Sequence, residues 1–237
     1  NLGLPVDEES ALLQRLSQVY EQSPNPEKAY RQLIKEFGQV LINDLSIVGS
    51  IDFTGYTPAN GASYPDTAFG RQLKQIAQLI KEGVGLEVAT LSRHQWDHHS
   101  DQGGGNSDGT QHQMFLEFAG GIAGFYKDLG ALMDDVTILT MTEFGRSARE
   151  NASFGTDHGS ASTWFVISKA LTGGIYLGTG WPGLASAQLR DGRDLAHTID
   201  YRDIMGEIIS LHLGNNDLTT VLPDHTYSPI GFFSPPA

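Results

Sequence analysis

The sequence predicts an α/β chain, in which a largely parallel sheet is covered by helices and preceded by a helical hairpin. Three observations carry that expectation. Apolar residues recur at helical spacing in several long segments. Two short apolar runs, residues 86–91 (LEVATL) and 136–142 (VTILTMT), have strand character, the second with the few polar residues expected of a sheet covered on both faces. Helix, strand and polar loop then follow one another twice, which is the order of right-handed βαβ units.

Residues 7–22 form an amphipathic segment with an acidic first turn, and Pro24 and Pro26 break it. A second helix is expected from about residue 27 to 47, with Tyr30, Leu33, Ile34, Phe37, Val40 and Leu41 on one face, so that residues 1–50 make the hairpin. Residues 49–66 are loop-like. Thr67 caps a helix to about residue 82, with Phe69, Leu73, Ile76, Leu79 and Ile80 buried. A strand at 86–91, a long polar loop, a helix over 111–132, the strand at 136–142 and a second polar loop follow. Residues 164–168 read as a strand or a short helix, and a glycine-rich segment and a hairpin lead to a last helix over 201–213. Gly214 stops that helix, and residues 215–237 read as an irregular tail. The whole, 1–237, is read as one domain with its core at 64–214.

Composition narrows the function. A formal net charge of −13 disfavours nucleic acid and anionic membrane surfaces as partners. With no cysteine, any metal must be held by histidine, carboxylate or other oxygen ligands. No apolar run is long enough to span a membrane, and Asn1 opens into polar sequence, as expected of a processed or truncated chain.

Three polar clusters can carry chemistry. Asp97 and His99, in the run Trp96-Asp97-His98-His99-Ser100-Asp101, offer one carboxylate oxygen and one imidazole nitrogen to a single ion; a solvated loop is the plain alternative. Glu143 and Arg146 end the second apolar run, where an acid/base or metal-binding carboxylate with an anion-clamping guanidinium weighs evenly against a structural Glu–Arg ion pair. Asp157 and His158 lie between Gly155 and Gly159, as two further ligands or as an Asx-type turn with an incidental histidine. Asn151, between the last two clusters, can hold the loop by side-chain hydrogen bonds. In a parallel sheet both polar loops open at strand ends, so their chemistry is expected to converge on one edge. Asp200 reads as a helix cap, and His197 and His212 as weaker candidates.

Taken in order, WDHHSDQ at 96–102, TEFGR at 142–146, Asn151 and GTDHG at 155–159 resemble a family of bacterial proteins of unknown function exported by the twin-arginine route, within the alkaline phosphatase and sulfatase superfamily. Residues 64–80 and the GGIYLG stretch at 173–178 resemble it too, so the likeness covers roughly 64–214. The resemblance implies a doubly wound, alkaline-phosphatase-like sheet and a periplasmic or secreted location. It also implies a divalent metal (zinc, calcium, magnesium or manganese) held by Asp97, His99, Glu143, Asp157 and His158, with Glu143 and Arg146 as catalytic groups.

The function so implied is metal-dependent hydrolysis of phosphate or sulfate esters. A non-catalytic exported binding protein for a glycan or protein partner is the alternative, and a purely structural role for the clusters a third reading. The resemblance places the superfamily's nucleophile in an upstream segment, so the chain alone is expected to hydrolyse model esters little. It is also expected to expose a sheet edge or apolar face where that segment or a partner chain packs. Ser100 and Thr156 are the nearest hydroxyls by motif, each reading better as a loop-backbone partner.

Overall fold

The structure, a computed structural model, describes residues 6–21 and 29–233. Its elements are helices α1 (Val6–Glu21), α2 (Ala29–Gly49), α3 (Ala68–Lys81), α4 (Thr110–Leu129), α5 (Tyr201–Leu211) and α6 (Leu218–Val221). A 3-10 turn covers Gly130–Asp135, and the strands are β1 (Ile138–Leu139), β2 (Gly145–Arg146), β3 (His158–Gly159) and β4 (Val166–Ile167). The expected break at Pro24 and Pro26, the side chain of Tyr30 and the last four residues of the tail lie outside the described residues.

The chain divides into two compact units, one of Asn1–Ala59 with Lys74–Ala89, the other of Asn60–Leu73 with Thr90–Ala237. In the first unit α1 packs on α2. The contact is close at Gly38, where a Cβ would stand 2.3 Å from the Tyr20 ring, so only glycine admits that ring against the helix. The face expected to be packed on α2 is instead open: Leu33, Ile34, Val40 and Leu41 are exposed, and Phe37 is 70% exposed. Asp52 shapes the following turn by accepting from Thr54 N at 2.9 Å and Thr54 Oγ1 at 2.6 Å. Gln78 Nε2 donates to the Asp52 carbonyl at 3.0 Å and Lys81 Nζ to the Tyr56 hydroxyl at 2.7 Å.

In the second unit Thr67 starts α3 as the sequence suggests, its Oγ1 accepting from Gly70 N at 3.2 Å. Phe69 and Leu73 are buried against α4, whose Gly121 leaves them room: a Cβ there would meet Phe69 at 2.8 Å and Leu73 at 2.9 Å. Phe69 also stacks on Phe118, with ring centroids 5.3 Å apart. Buried Asp128 accepts from the Tyr64 hydroxyl at 2.7 Å, which satisfies a carboxylate that burial would otherwise penalise. Asp200 caps α5, accepting from Arg202 N at 2.9 Å. Further along that helix, fully buried Glu207 receives the backbone N–H groups of Ile230, Gly231, Phe232 and Phe233 at 2.7–2.9 Å. That carboxylate ties residues 230–233 to α5 and seats Phe232 and Phe233 in the core.

The expected largely parallel, doubly wound sheet of alkaline-phosphatase-like type does not form. Helices dominate, and the described residues contain two small antiparallel sheets, β1 with β4 and β2 with β3. The run at 86–91 has no ladder, and Val88 there is 65% exposed. The run at 136–142 pairs over two residues only, Ile138 with Ile167 and Leu139 with Val166, and is half-buried over 136–140 and exposed at Met141 and Thr142 rather than covered on both faces. A βαβ unit needs its two strands to pair in parallel; here the first has no partner and the second takes an antiparallel one from 166–167. The helix expected over 111–132 ends at Leu129, where Gly130 turns at φ 56° into the 3-10 turn. The segment 173–198, expected to hold a hairpin, contains turns and isolated bridges.

Candidate metal centre

The two polar loops converge without a parallel sheet. Strands β2 and β3 pair with Arg146 opposite His158. Gly159 permits this approach, since a Cβ there would lie 2.4 Å from the Arg146 carbonyl carbon. The earlier loop is laced to the later one by Asp101 N to Ser153 O at 3.0 Å, Gln102 N to Phe154 O at 2.9 Å and Thr156 N to His98 O at 3.0 Å. Gly155 lies so close to the His98 and His99 carbonyls that a Cβ would stand 2.5–2.6 Å from their oxygens. Asn151 locks the junction: its Nδ2 donates to His99 O at 2.9 Å and Asp157 Oδ1 at 3.1 Å, while its Oδ1 accepts from Ser153 N and Gly155 N.

Asp97, His99 and His158 come together in this lacing. One ligand atom from each lies within 4.8 Å of the others. His99 Nε2 is 3.1 Å and His158 Nε2 2.9 Å from Asp97 Oδ1, and the two imidazole centroids are 5.0 Å apart. The three side chains are about half exposed, at 48–51%. Two imidazole nitrogens and a carboxylate oxygen form a donor set suited to a divalent ion. The two separations from Asp97, near 3 Å, approach the roughly 3.3 Å between ligands of a tetrahedral ion with bonds of about 2.0–2.1 Å.

The surroundings fix these groups. Asp157 Oδ1 sits 3.1 Å from His99 Nδ1, which leaves Nε2 turned toward Asp97; a carboxylate behind a ligating histidine orients the ring and raises its basicity. The Asn151 amide, then the His99 ring, hold the Asp157 carboxyl below the usual carboxylate range. Phe144 stacks on His158 with centroids 4.1 Å apart. Arg146 donates from Nη1 to Asp97 Oδ1, from Nη2 to the Thr156 carbonyl and from Nε to Thr156 Oγ1 at 2.9 Å. That guanidinium is the main cause of the depressed Asp97 pKa, ahead of His158 and His99. Burial, followed by the charge of Arg146, lowers the His98 pKa, and His98 stands outside the cluster.

The geometry therefore distributes roles among the residues singled out in the sequence. Asp97, His99 and His158 supply the converging atoms, and Asp157 stands behind His99. Glu143 is exposed and outside the cluster, and the carboxylate partner of Arg146 is Asp97. The Thr156 hydroxyl is committed, accepting from Arg146 and donating to Gln102 Oε1 at 2.8 Å. The sequence reading missed Phe144; its place between Glu143 and Gly145 carried no signal that its ring would cover His158.

Fold and site together define a helix-rich chain that presents an exposed two-histidine, one-aspartate cluster backed by a second carboxylate and flanked by an arginine. The chain belongs to the family described as "Protein of unknown function (DUF1501)", which matches residues 8–217. No curated protein and no solved structure matches it. Among the described residues no helix is long and apolar enough to cross a membrane.

Proposed function

We propose that the chain binds a divalent metal ion through Asp97, His99 and His158 and acts, as an exported protein, in hydrolysis of a phosphate or sulfate ester. The observation that carries the proposal is the approach of three ligand atoms to within 4.8 Å of one another, with Arg146 on the same carboxylate. A divalent ion in such a site polarises an ester oxygen and acidifies water. Three protein donors on an exposed surface leave a side open for an ester. Arg146, braced by Thr156, offers N–H donors to the anionic group and to the charge that develops on it. Glu143, exposed just before β2, is the acid/base group of this proposal.

The test is calorimetric titration of the chelator-treated protein with zinc, manganese, magnesium and calcium, then assays on p-nitrophenyl phosphate and sulfate. Saturable one-site binding that is lost in His99→Ala and His158→Ala is the expected result, with ester turnover that is low in this chain alone and falls further in Glu143→Gln. Absence of binding by any of the four ions would sink the proposal. Binding without turnover would move the chain to the alternative, a non-catalytic binding protein for a glycan or protein partner.

A further inference from the structure

Beyond the metal cluster, one hydroxyl has the surroundings of an activated nucleophile. Ser160 Oγ lies 2.8 Å from His197 Nε2 and 2.5 Å from Arg190 Nη1. A guanidinium nitrogen only donates, so Arg190 occupies one lone pair of Oγ and leaves the hydroxyl proton free for His197 Nε2, which accepts it in the tautomer protonated on Nδ1. A serine hydroxyl with a base in hydrogen-bond reach is the core of serine-based group transfer, and the cationic donor beside it can stabilise negative charge on Oγ. Ser160 is half-buried and His197 exposed, so a ligand has access to the pair.

The position is also informative. Ser160 follows β3 directly and stands two residues from His158, so their Cα atoms are separated by at most about 7 Å. The segment that supplies its partners is fastened to the same hairpin. Ala148 N donates to Arg193 O at 3.0 Å, Asp194 bridges to Ser147, and Arg190 N donates to Asp194 O at 2.8 Å. Arg190 and His197 therefore reach Ser160 from a frame anchored beside β2.

We infer that Ser160 is the nucleophile of this site, with His197 as its general base and Arg190 as the donor that stabilises its oxygen. The inference rests on the hydrolase reading above for its substrate, a phosphate monoester, and on the Ser160 geometry for its chemistry. In the first half-reaction the Ser160 Oγ–P bond forms and the bond from phosphorus to the leaving oxygen breaks. The serine proton passes to His197 Nε2 and from there to the departing alkoxide, so that in this form of the reaction His197 takes the acid/base role in place of Glu143. In the second, water attacks phosphorus, the Oγ–P bond breaks, and the proton of water returns Ser160 to its hydroxyl through His197. The sum is ester plus water to alcohol plus inorganic phosphate.

The experiment uses the full chain loaded with the ion found above, and two probes. In the first, p-nitrophenyl phosphate is turned over, quenched in acid, and the peptides are read by mass spectrometry. In the second, a fluorophosphonate reagent, whose fluoride leaves as Oγ bonds to phosphorus, reports an activated serine whatever the natural substrate. Wild type is expected to carry both labels on Ser160. Ser160→Ala is expected to lose both and to lose at least about 100-fold in turnover, with His197→Gln slowing labelling by about 100-fold or more. Metal affinity should be unchanged in both variants, which shows that they fold and that the metal centre survives. Fluorophosphonate labelling of Ser160 without ester turnover keeps the nucleophile and discards the phosphate-ester substrate. Turnover that persists in Ser160→Ala, or a fluorophosphonate reaction spread over other serines, overturns the inference and leaves the metal-dependent hydrolase reading intact.

Discussion

His99 Nδ1 faces Asp157 Oδ1 at 3.1 Å, and this contact turns the opposite nitrogen of the ring, Nε2, toward Asp97. Asp157 is itself held by Asn151. The orientation of His99 thus depends on a residue 58 positions further along the chain. Asp157→Ala is expected to weaken metal binding by about 10–100-fold without abolishing it, because the ring remains but loses its orienting partner. Calorimetric titration measures this, and an unchanged affinity would show that Asp157 plays no part in the site.

Arg146 holds Asp97 Oδ1, the oxygen that the proposed metal ion would take. Removing the guanidinium frees that oxygen and deletes the donor meant for the anionic ester. Arg146→Ala is therefore expected to bind metal several-fold more tightly while turning over ester at least about 100-fold more slowly. Tighter binding and slower turnover must appear together; weaker metal binding in this variant would mean that Arg146 supports the ligand set instead of opposing a cation.

Glu207 organises the second unit from inside, with both carboxylate oxygens used by backbone donors of residues 230–233. Glu207→Gln turns one acceptor into an N–H group facing two N–H donors. The expected cost is about 3 kcal/mol or more, from unmatched buried donors and loss of charge-assisted bonds. Urea denaturation reads it, and a loss below about 0.5 kcal/mol would mean that the tail is held by apolar packing alone.

Asp200 supplies a pH-dependent contribution. Arg202, binding it at 2.7 and 3.0 Å, is the main cause that lowers its pKa to about 2. The folded pKa is depressed, so the stabilisation is present above the unfolded value of about 3.9 and is lost as pH falls from there through about 2. Asp200→Asn keeps a helix cap but removes the charge. The variant is expected to be less stable at pH 7 by under about 1 kcal/mol, since the pair is partly exposed and screened. That difference from wild type should shrink as pH falls below about 4 and vanish only below about pH 2. A stability gap that stays constant across the acid range would assign the effect to the cap and not to the ion pair.

Helices were the part of the fold most legible in the sequence. The segment expected at 67–82 is Ala68–Lys81 with Thr67 capping it, and the one expected at 201–213 is Tyr201–Leu211 behind Asp200. A helix closes its hydrogen bonds within four residues, so its signals are local. The strands were not legible in the same way. Residues 86–91 have the apolar content of a strand and no ladder, and residues 136–142 pair antiparallel at two positions where a parallel sheet was expected. A strand exists only when a distant segment supplies its hydrogen bonds, and apolar content does not say which segment that is or in which direction it runs.

The site divides along the same line. By itself the sequence pointed to the candidate donor types and to the neighbours Asp97 and His99, separated by one residue in a polar loop, and Asp157 and His158, adjacent between two glycines. The tertiary structure alone decided that Asp97 and not Glu143 faces Arg146, that Asp157 stands behind His99, and that Ser160 meets His197 and Arg190 across 37 and 30 residues. Those relations depend on how loops cross and on which backbones come within hydrogen-bonding distance. That is set by packing at Gly155 and Gly159, where no side chain larger than hydrogen fits, and not by any motif along the chain.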